Sequence, residues 1–149
     1  MFIDALLLLA DAQAFTATAV STNTIDLGDV TPKRDIGTGE PMELVAAVDV
    51  AGDRTTGDET YLLEFLQSAN ANLSSPDVLV DSAFTLAELV VGEIKRLPIP
   101  PGSITKRYIG ARLTLAGTTP TITVTLFVQP SAMASLKKPQ SYADAITVS

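Results

Sequence analysis

The chain has 149 residues, 46% of them hydrophobic and 18% charged, a composition typical of a globular domain rather than a disordered segment. Its 17 acidic residues outnumber its 10 basic ones, and the net charge of −7 argues against a general attraction to nucleic acid. The chain contains no cysteine and no histidine, which excludes disulfides, thiol nucleophiles and zinc sites built on those residues. The commonest general base near neutral pH is therefore also missing.

The N-terminal segment contains the apolar run ALLLLA, residues 5–10, which Asp11 closes. A secretory signal needs a basic residue before its apolar run, but the first basic residue here is Lys33. A membrane-spanning helix needs about 20 apolar residues, far more than this run supplies. We therefore expect residues 1–15 to form a short arm or helix that is neither cleaved nor inserted in a membrane. Its apolar side chains are predicted to lie at an oligomer or domain contact: Phe2, Leu6, Leu7 and Leu9.

Two segments in the middle of the chain read as strands. In EPMELVAAVDV the apolar residues Met42, Leu44, Val48 and Val50 alternate with Glu43 and Asp49. In TYLLEFLQ the alternating residues are Tyr61, Leu63 and Phe65. Alternation with a period of two is the pattern of a half-buried strand.

The acidic segment DVAGDRTTGDE between these strands places four carboxylates close together: Asp49, Asp53, Asp58 and Glu59. Carboxylates at loop spacing can bind calcium, but the EF-hand spacing is absent, and Asp and Gly also serve turn geometry. GTGEP, residues 37–41, lacks the Lys-Ser/Thr of a phosphate-binding loop, and no G-x-S-x-G elbow appears. We therefore predict no metal, no cofactor and no enzymatic activity.

A basic stretch follows at residues 95–112, with five bases and no acid, while the rest of the chain carries five bases and all 17 acids. The bases are Lys95, Arg96, Lys106, Arg107 and Arg112. The stretch is either a docking face for an acidic partner or a set of solvated charges paired with acids elsewhere. Its proline-rich part, RLPIPPGS, is expected at a sheet edge or in an extended connection, because proline cannot donate to a ladder.

The strongest alternating pattern lies near the end of the chain. RYIGARLTL and TITVTLFV are separated by AGTTP, which predicts an antiparallel hairpin over residues 107–128. Its inward faces are expected to be Ile109, Ala111, Leu113 and Leu115 on the first strand, and Ile122, Val124, Leu126 and Val128 on the second. The chain as a whole predicts an all-β protein, a single-domain antiparallel β-sandwich or jelly roll over residues 1–149. Residues 130–149 are a possible C-terminal arm.

Several short motifs belong together: the opening MFIDALLLLADAQAF, then TNTIDLGD, the G-T-G-E-P turn and the strand MELVAAVDV. They resemble one known family, the capsid cement, or decoration, proteins of short-tailed bacteriophages, of the type described from a Bordetella phage. AELVVGE, RLPIPPG and the two closing strands also fit the family's layout. The residues that match the opening pattern and the first turn are Asp4, Asp11, Ala12, Gln13, Asp26, Leu27 and Gly28.

This resemblance implies a jelly roll that binds the outside of an icosahedral head, bridges neighbouring capsomers and stabilises the head against the pressure of packaged DNA. The implied partners are the major capsid protein and further copies of the chain, with a dimer favoured and a trimer possible, and no direct nucleic-acid or membrane partner. The implied location is the capsid exterior of a virion assembled from protein made in the host bacterial cytoplasm.

The residues expected to contact the major capsid protein lie in the basic stretch: Arg96, Ile99, Lys106 and Arg107. An alternative function is a receptor- or carbohydrate-binding jelly-roll module of a phage particle, although the chain has no tryptophan for stacking on sugars. A small hydrolase that works with paired carboxylates is a third possibility.

Overall fold

A computed structural model of the chain describes residues 4–29 and 41–131. Within these residues nine strands follow one another: β1 Leu8–Phe15, β2 Ala19–Val20, β3 Ile25–Asp26, β4 Met42–Val50, β5 Thr60–Ser68, β6 Asp77–Ala83, β7 Ile94–Pro98, β8 Tyr108–Ala116 and β9 Ile122–Pro130. A single 3-10 turn of helix, Leu86–Leu89, lies between β6 and β7.

The strands form two antiparallel sheets. The first has the order β1-β9-β4-β7 and the second the order β2-β8-β5-β6, with β3 also paired to β8. The predicted all-β, antiparallel sandwich is therefore confirmed. Successive long strands β4 and β5, and again β8 and β9, alternate between the sheets, which is compatible with the jelly roll that the resemblance implies.

The core lies between the two sheets and takes side chains from both. As the alternation predicts, β8 buries Ile109, Ala111 and Leu113, and β9 buries Ile122, Val124, Leu126 and Val128. β5 contributes Tyr61, Leu63 and Phe65 to the same cluster. Leu115, near the end of β8, is only partly buried and packs at the margin of the core.

The predicted hairpin over residues 107–128 is wrong. β8 pairs with β2, β3 and β5, whereas β9 pairs with β1 and β4, so the connection at 117–121 crosses from one sheet to the other. Each strand shows the same alternation whichever neighbour it pairs with, because the pattern records only which face is buried.

The N-terminal segment is also different from the expectation. Residues 8–15 form neither a helix nor a free arm: they are the strand β1, which pairs with β9 from Leu8↔Phe127 to Phe15↔Ile122. A helix would expose part of this apolar run, whereas at the sheet edge Leu9, Ala10 and Phe15 are buried in the core. Of the possible C-terminal arm, residues 130–149, Pro130 is the last residue of β9, and residues 132–149 lie outside the described residues.

β4 departs from the predicted pattern near its end. Leu44 and Val48 are buried as expected, but Val50 is 57% exposed. The pairing with β9 shifts register between Val48 and Val50, and this irregularity removes Val50 from the inward face. Glu43 on the opposite face is buried, so the outer face of this sheet is not simply solvated at that position.

The two ends of the sandwich are distinct surfaces. At the Val50 end, β4 and β8 finish and β5 and β9 begin; at the Met42 end, β4 and β8 begin and β5 and β9 finish. The connections 51–59 and 117–121 cross between the sheets at the Val50 end. β1 starts towards the Met42 end, because Leu8 pairs with Phe127 there.

Candidate functional site

The bases of the stretch 95–112 are all paired with acids from other parts of the chain. The pairs are Lys95–Glu88 at 2.9 Å, Arg96–Glu43 at 3.6 Å, Lys106–Asp77 at 2.8 Å, Arg107–Asp26 at 2.8 Å and Arg112–Glu64 at 2.6 Å. The local excess of positive charge in the sequence is thus neutralised in the fold. This is the second of the two interpretations considered for the stretch, although a paired base that is partly exposed can still face a partner.

Arg107 is the most firmly held of the bases at the Met42 end. Its Nε and Nη2 donate to the two carboxylate oxygens of Asp26 at 2.8 and 2.9 Å, and its guanidinium lies 5.0 Å from the centre of the Tyr108 ring. The hydrogen bonds to Asp26 raise the pKa of Arg107 above its ordinary value, so the side chain is always charged. About a third of this side chain remains exposed, at 35%.

Lys106 is held beside it through Gln67 of β5. The Gln67 carbonyl oxygen accepts hydrogen bonds from the backbone N–H groups of Thr105 and Lys106, at 2.8 and 3.1 Å. The Lys106 ammonium in turn donates to Asp77, and this hydrogen bond lowers the pKa of the Asp77 carboxyl. The buried Gln67 therefore holds the backbone of the loop that leads into β8, and this loop carries Lys106 and Arg107.

A half-open hollow of about 410 Å³ lies next to these charges, where the N-terminal residues meet the β3 segment. Its lining residues are Asp4, Leu6, Leu7, Thr24, Ile25, Asp26 and Leu27. Asp26 both lines the hollow and holds Arg107. The structure therefore brings together two sets of residues that the sequence suggested separately, Lys106 and Arg107 with Leu6 and Leu7. We call this the Met42-end surface, made of Asp4, Leu6, Leu7, Asp26, Lys106 and Arg107.

The other residues expected at contacts lie elsewhere. Ile99 is only 4% exposed and belongs to the core, which leaves it almost no surface to offer a partner. Arg96, on β7 of the first sheet, lies beside Glu43, whereas Lys106 and Arg107 immediately precede β8 of the second. In the N-terminal set, Leu9 is fully buried between the sheets, Leu7 packs against the core and Leu6 is 83% exposed. Phe2 lies outside the described residues.

The carboxylates of the acidic segment 49–59 accept hydrogen bonds from threonines, some within the segment and some in β9 or the connection before it. Asp49 accepts from the Thr125 hydroxyl at 2.6 Å, Asp53 from the Thr55 backbone, and Asp58 from the Thr118 backbone and hydroxyl. Hydrogen bonds from Thr56 lower the pKa of Glu59 to about 2. Within the described residues, no three acidic side chains converge in a way that could hold a metal ion.

A second surface, at the Val50 end, was not identified from the sequence. Four large apolar side chains are exposed there: Val50, Leu86, Val90 and Val91. The sequence did contain one signal for this surface, the pair Val90-Val91 immediately before Gly92. Adjacent side chains of an extended chain point to opposite sides, so two neighbouring β-branched residues cannot both face the core. In the part of the chain described here, no helix is long and apolar enough to span a membrane.

Comparison with known proteins identifies one family. The family model described as Bbp16, which is the name of a Bordetella phage protein, matches residues 9–128. This range begins in β1 and ends in β9, so the match includes all or most of each of the nine described strands. No curated protein matches the chain.

Proposed function

Because the chain belongs to the Bbp16 family, and is by that name related to a Bordetella phage protein, we propose that it is a structural protein of the virion. In this proposal it binds the exterior of a bacteriophage capsid, bridges neighbouring subunits of the major capsid protein and stabilises the head against internal DNA pressure. The observation that carries the proposal is the extent of the family match, which spans the sandwich from β1 to β9.

The Met42-end surface is the proposed contact with the major capsid protein. It combines an exposed apolar side chain, Leu6, with two bases whose carboxylate partners are themselves partly exposed. Such ion pairs can exchange partners: an incoming carboxylate can share Arg107 with Asp26, because the guanidinium carries more donors than Asp26 uses. The apolar residue then supplies burial, and the charges supply orientation and speed of association.

Modest affinity at each contact is sufficient for this role. A head decorated by many copies is held by many contacts at once, and a bridging protein that is released from one subunit stays close to it through the other. The acidic remainder of the chain, which accounts for the net charge of −7, keeps decorated particles from associating with one another.

The test is binding of purified protein to undecorated heads over a series of salt concentrations. We expect the double variant Lys106→Glu, Arg107→Glu to decorate heads more weakly than the wild type. Each reversal removes a base that could meet a carboxylate of the partner and places a negative charge beside Asp77 or Asp26 instead. The salt dependence of binding should also become shallower.

The matched control exchanges the two bases, Lys106→Arg with Arg107→Lys, and so retains the charge of the surface. It should decorate heads nearly as well as the wild type. Circular dichroism of each variant shows whether the sandwich is intact. Equal occupancy and equal salt slopes for the wild type and the folded double reversal would exclude the Met42-end surface, and failure of the wild type to bind any bare head would exclude the proposed function.

A further inference from the structure

The hollow at the Met42 end lies where the two sheets meet. One wall is the turn at residues 4–7, which is tied to the first sheet because the Val128 N–H donates to the Leu7 carbonyl oxygen at 3.0 Å. The other wall is the segment that contains β3. It is tied to the second sheet by its pairing with β8 and by the Leu27 N–H, which donates to the Arg107 carbonyl oxygen at 2.9 Å. Backbone hydrogen bonds therefore hold both walls.

Most of the side chains that line the hollow are apolar. Leu27 is 2% exposed and belongs to the core, Leu7 and Ile25 pack against the core, and Leu6 is 83% exposed. The volume of about 410 Å³ lies within the range of about 300–1,000 Å³ in which proteins bind small ligands. The hollow can therefore receive a long side chain and bury its hydrocarbon part.

The polar residues that line the hollow are acceptors of hydrogen bonds more than donors. They are Asp4, Thr24 and Asp26, two carboxylates and one hydroxyl. The Asp4 Oδ1 atom accepts from the Leu6 N–H at 2.9 Å, and in the described part of the chain the Asp4 Oδ2 atom accepts no hydrogen bond. An ionised carboxylate has about four acceptor sites, so Asp4 can still bind a donor that enters the hollow.

Arg107 does not reverse the negative charge of the hollow. Its guanidinium is bound to both oxygens of Asp26 at 2.8 and 2.9 Å and lies 3.8 Å from Asp29. With Asp4, three carboxylates thus stand against this one base. A cation that approaches the hollow is attracted by this excess of negative charge, and an anion is repelled.

We propose that the hollow receives a basic side chain, lysine or arginine, of the major capsid protein, and that Asp4 pairs with its charged end. This inference rests on the proposed function for the identity of the partner. Lysine and arginine can bury their methylene stems on apolar surface, here Leu6, Leu7 and Ile25, while the charged end reaches a carboxylate. An apolar side chain would instead take water from Asp4 without giving it a partner, which is unfavourable.

This occupant also completes the charge pattern of the Met42-end surface. Lys106 and Arg107 can meet acidic groups of the capsid protein, and the hollow accepts a basic group beside them. A contact that is complementary in both signs disfavours a partner in the wrong orientation, because like charges would then face each other.

The first experiment titrates the purified full chain with two small probes at constant ionic strength. The probes are N-acetyl-arginine methylamide and its neutral isostere N-acetyl-citrulline methylamide, followed by methyl NMR. We expect saturable shifts of the methyl groups of Leu6, Leu7, Ile25 and Leu27, with the arginine probe bound about threefold or more tightly than the citrulline probe. Asp4→Asn should remove this preference. Equal shifts with both probes, or no shift with either, would overturn the proposal.

The second experiment measures the binding of variants to undecorated heads. Asp4→Lys should weaken decoration by about tenfold or more, because it places a cation where the basic side chain enters. The matched control is Asp11→Lys, the same change of charge at an exposed carboxylate that does not line the hollow, which should stay within about twofold of the wild type. Circular dichroism shows whether each variant is folded.

Asp4→Leu distinguishes a basic occupant from an apolar one. It should weaken decoration if a basic side chain enters the hollow, and tighter binding of this variant would show that the occupant is apolar. Equal decoration by folded Asp4→Lys and Asp11→Lys would likewise overturn the proposal. Failure of the wild type to bind any bare head would exclude the proposed function, whereas the probe titration would still decide whether the hollow binds a basic side chain.

Discussion

Glu64 shows how a single buried charge is accommodated in this fold. It lies in the middle of β5 and is only 5% exposed. Its carboxylate accepts hydrogen bonds from Arg112 Nε at 2.6 Å, from Arg112 Nη2 at 2.8 Å and from the Thr114 hydroxyl at 2.5 Å. These bonds, those from Arg112 above all, lower the pKa of Glu64 below its ordinary value. Both donors come from β8, so this pair joins two neighbouring strands on the outer face of their sheet.

We expect Glu64 to make the protein less stable in acid. Its pKa is lower in the folded than in the unfolded state, so its stabilising effect is complete above the unfolded value of about 4.5 and is lost as the pH falls through the folded value. Urea unfolding of the wild type and of Glu64→Gln, between about pH 7 and pH 3, should show a shallower acid loss in the variant.

The control for this prediction is Asp11→Asn, which changes an exposed carboxylate without an ion pair in the described part of the chain. Its acid loss should match that of the wild type. If Glu64→Gln also lost stability as steeply as the wild type, Glu64 would not be a source of the pH dependence.

The connection between β8 and β9 decides which sheet each of these strands enters. It begins at Gly117, whose φ of 101° is strained for any residue with a side chain. A Cβ at this position would also lie 2.5 Å from the carbonyl oxygen of Asp58, in the acidic segment. The Asp58 carboxylate accepts hydrogen bonds from the backbone and hydroxyl of Thr118. The two connections that cross between the sheets at the Val50 end are therefore packed against each other.

We expect Gly117→Ala to destabilise the protein more than Gly57→Ala does. Both glycines have positive φ, so each substitution should cost about 1–2 kcal/mol in backbone strain. At Gly57, however, no atom lies within 4 Å of the new Cβ, whereas at Gly117 the backbone at Asp58 has to move. This additional crowding should cost about 1–3 kcal/mol more. Urea unfolding of the two variants measures the difference, and equal losses of stability would contradict the close packing of the two connections.

At the largest scale, residues 4–29 and 41–131 are organised around one core that both sheets share. The buried cluster includes Leu9 and Leu44 from the first sheet, and Leu63 and Ile109 from the second. Tyr61, at the start of β5, adds a polar link between the sheets: its hydroxyl lies 2.8 Å from the Asp53 carbonyl oxygen and accepts a hydrogen bond from the Thr121 N–H at 3.2 Å. Neither sheet can lose its partner without exposing this cluster to water.

We therefore expect the chain to unfold in a single cooperative transition, as the prediction of a single domain requires. The chain has no tryptophan and three tyrosines, so tyrosine fluorescence can be followed without interference, and Tyr61 reports on the junction of the sheets. Far-UV circular dichroism and tyrosine fluorescence should give the same midpoint in urea. Separate midpoints would show that parts of the chain fold independently, and the single-domain prediction would then be wrong.

Local pattern was sufficient for much of this architecture. The alternation in residues 42–48, 61–65, 109–113 and 122–128 predicted strands and identified the side chains that face the core between the sheets, because the period of two is a property of the strand itself. The short motifs of the opening and the first turn pointed to a phage family, and the Bbp16 match is consistent with that resemblance. The absence of cysteine and histidine, which excludes disulfides, thiol nucleophiles and zinc sites built on those residues, is likewise evident from the sequence alone.

Tertiary structure alone decided how these elements are combined. Whether β8 pairs with β9 or with β5 depends on contacts between residues about 50 positions apart, which no local pattern records. The same is true of the ion pairs: Arg107 meets Asp26 across 81 positions, so a stretch that looks strongly basic in the sequence is neutralised in the fold. Among the N-terminal leucines, Leu9 lies in β1 and is buried, whereas Leu6 precedes the strand and is exposed. The group of exposed apolar side chains at the Val50 end, Val50, Leu86, Val90 and Val91, likewise arises because folding places residues 48–54 beside residues 86–93.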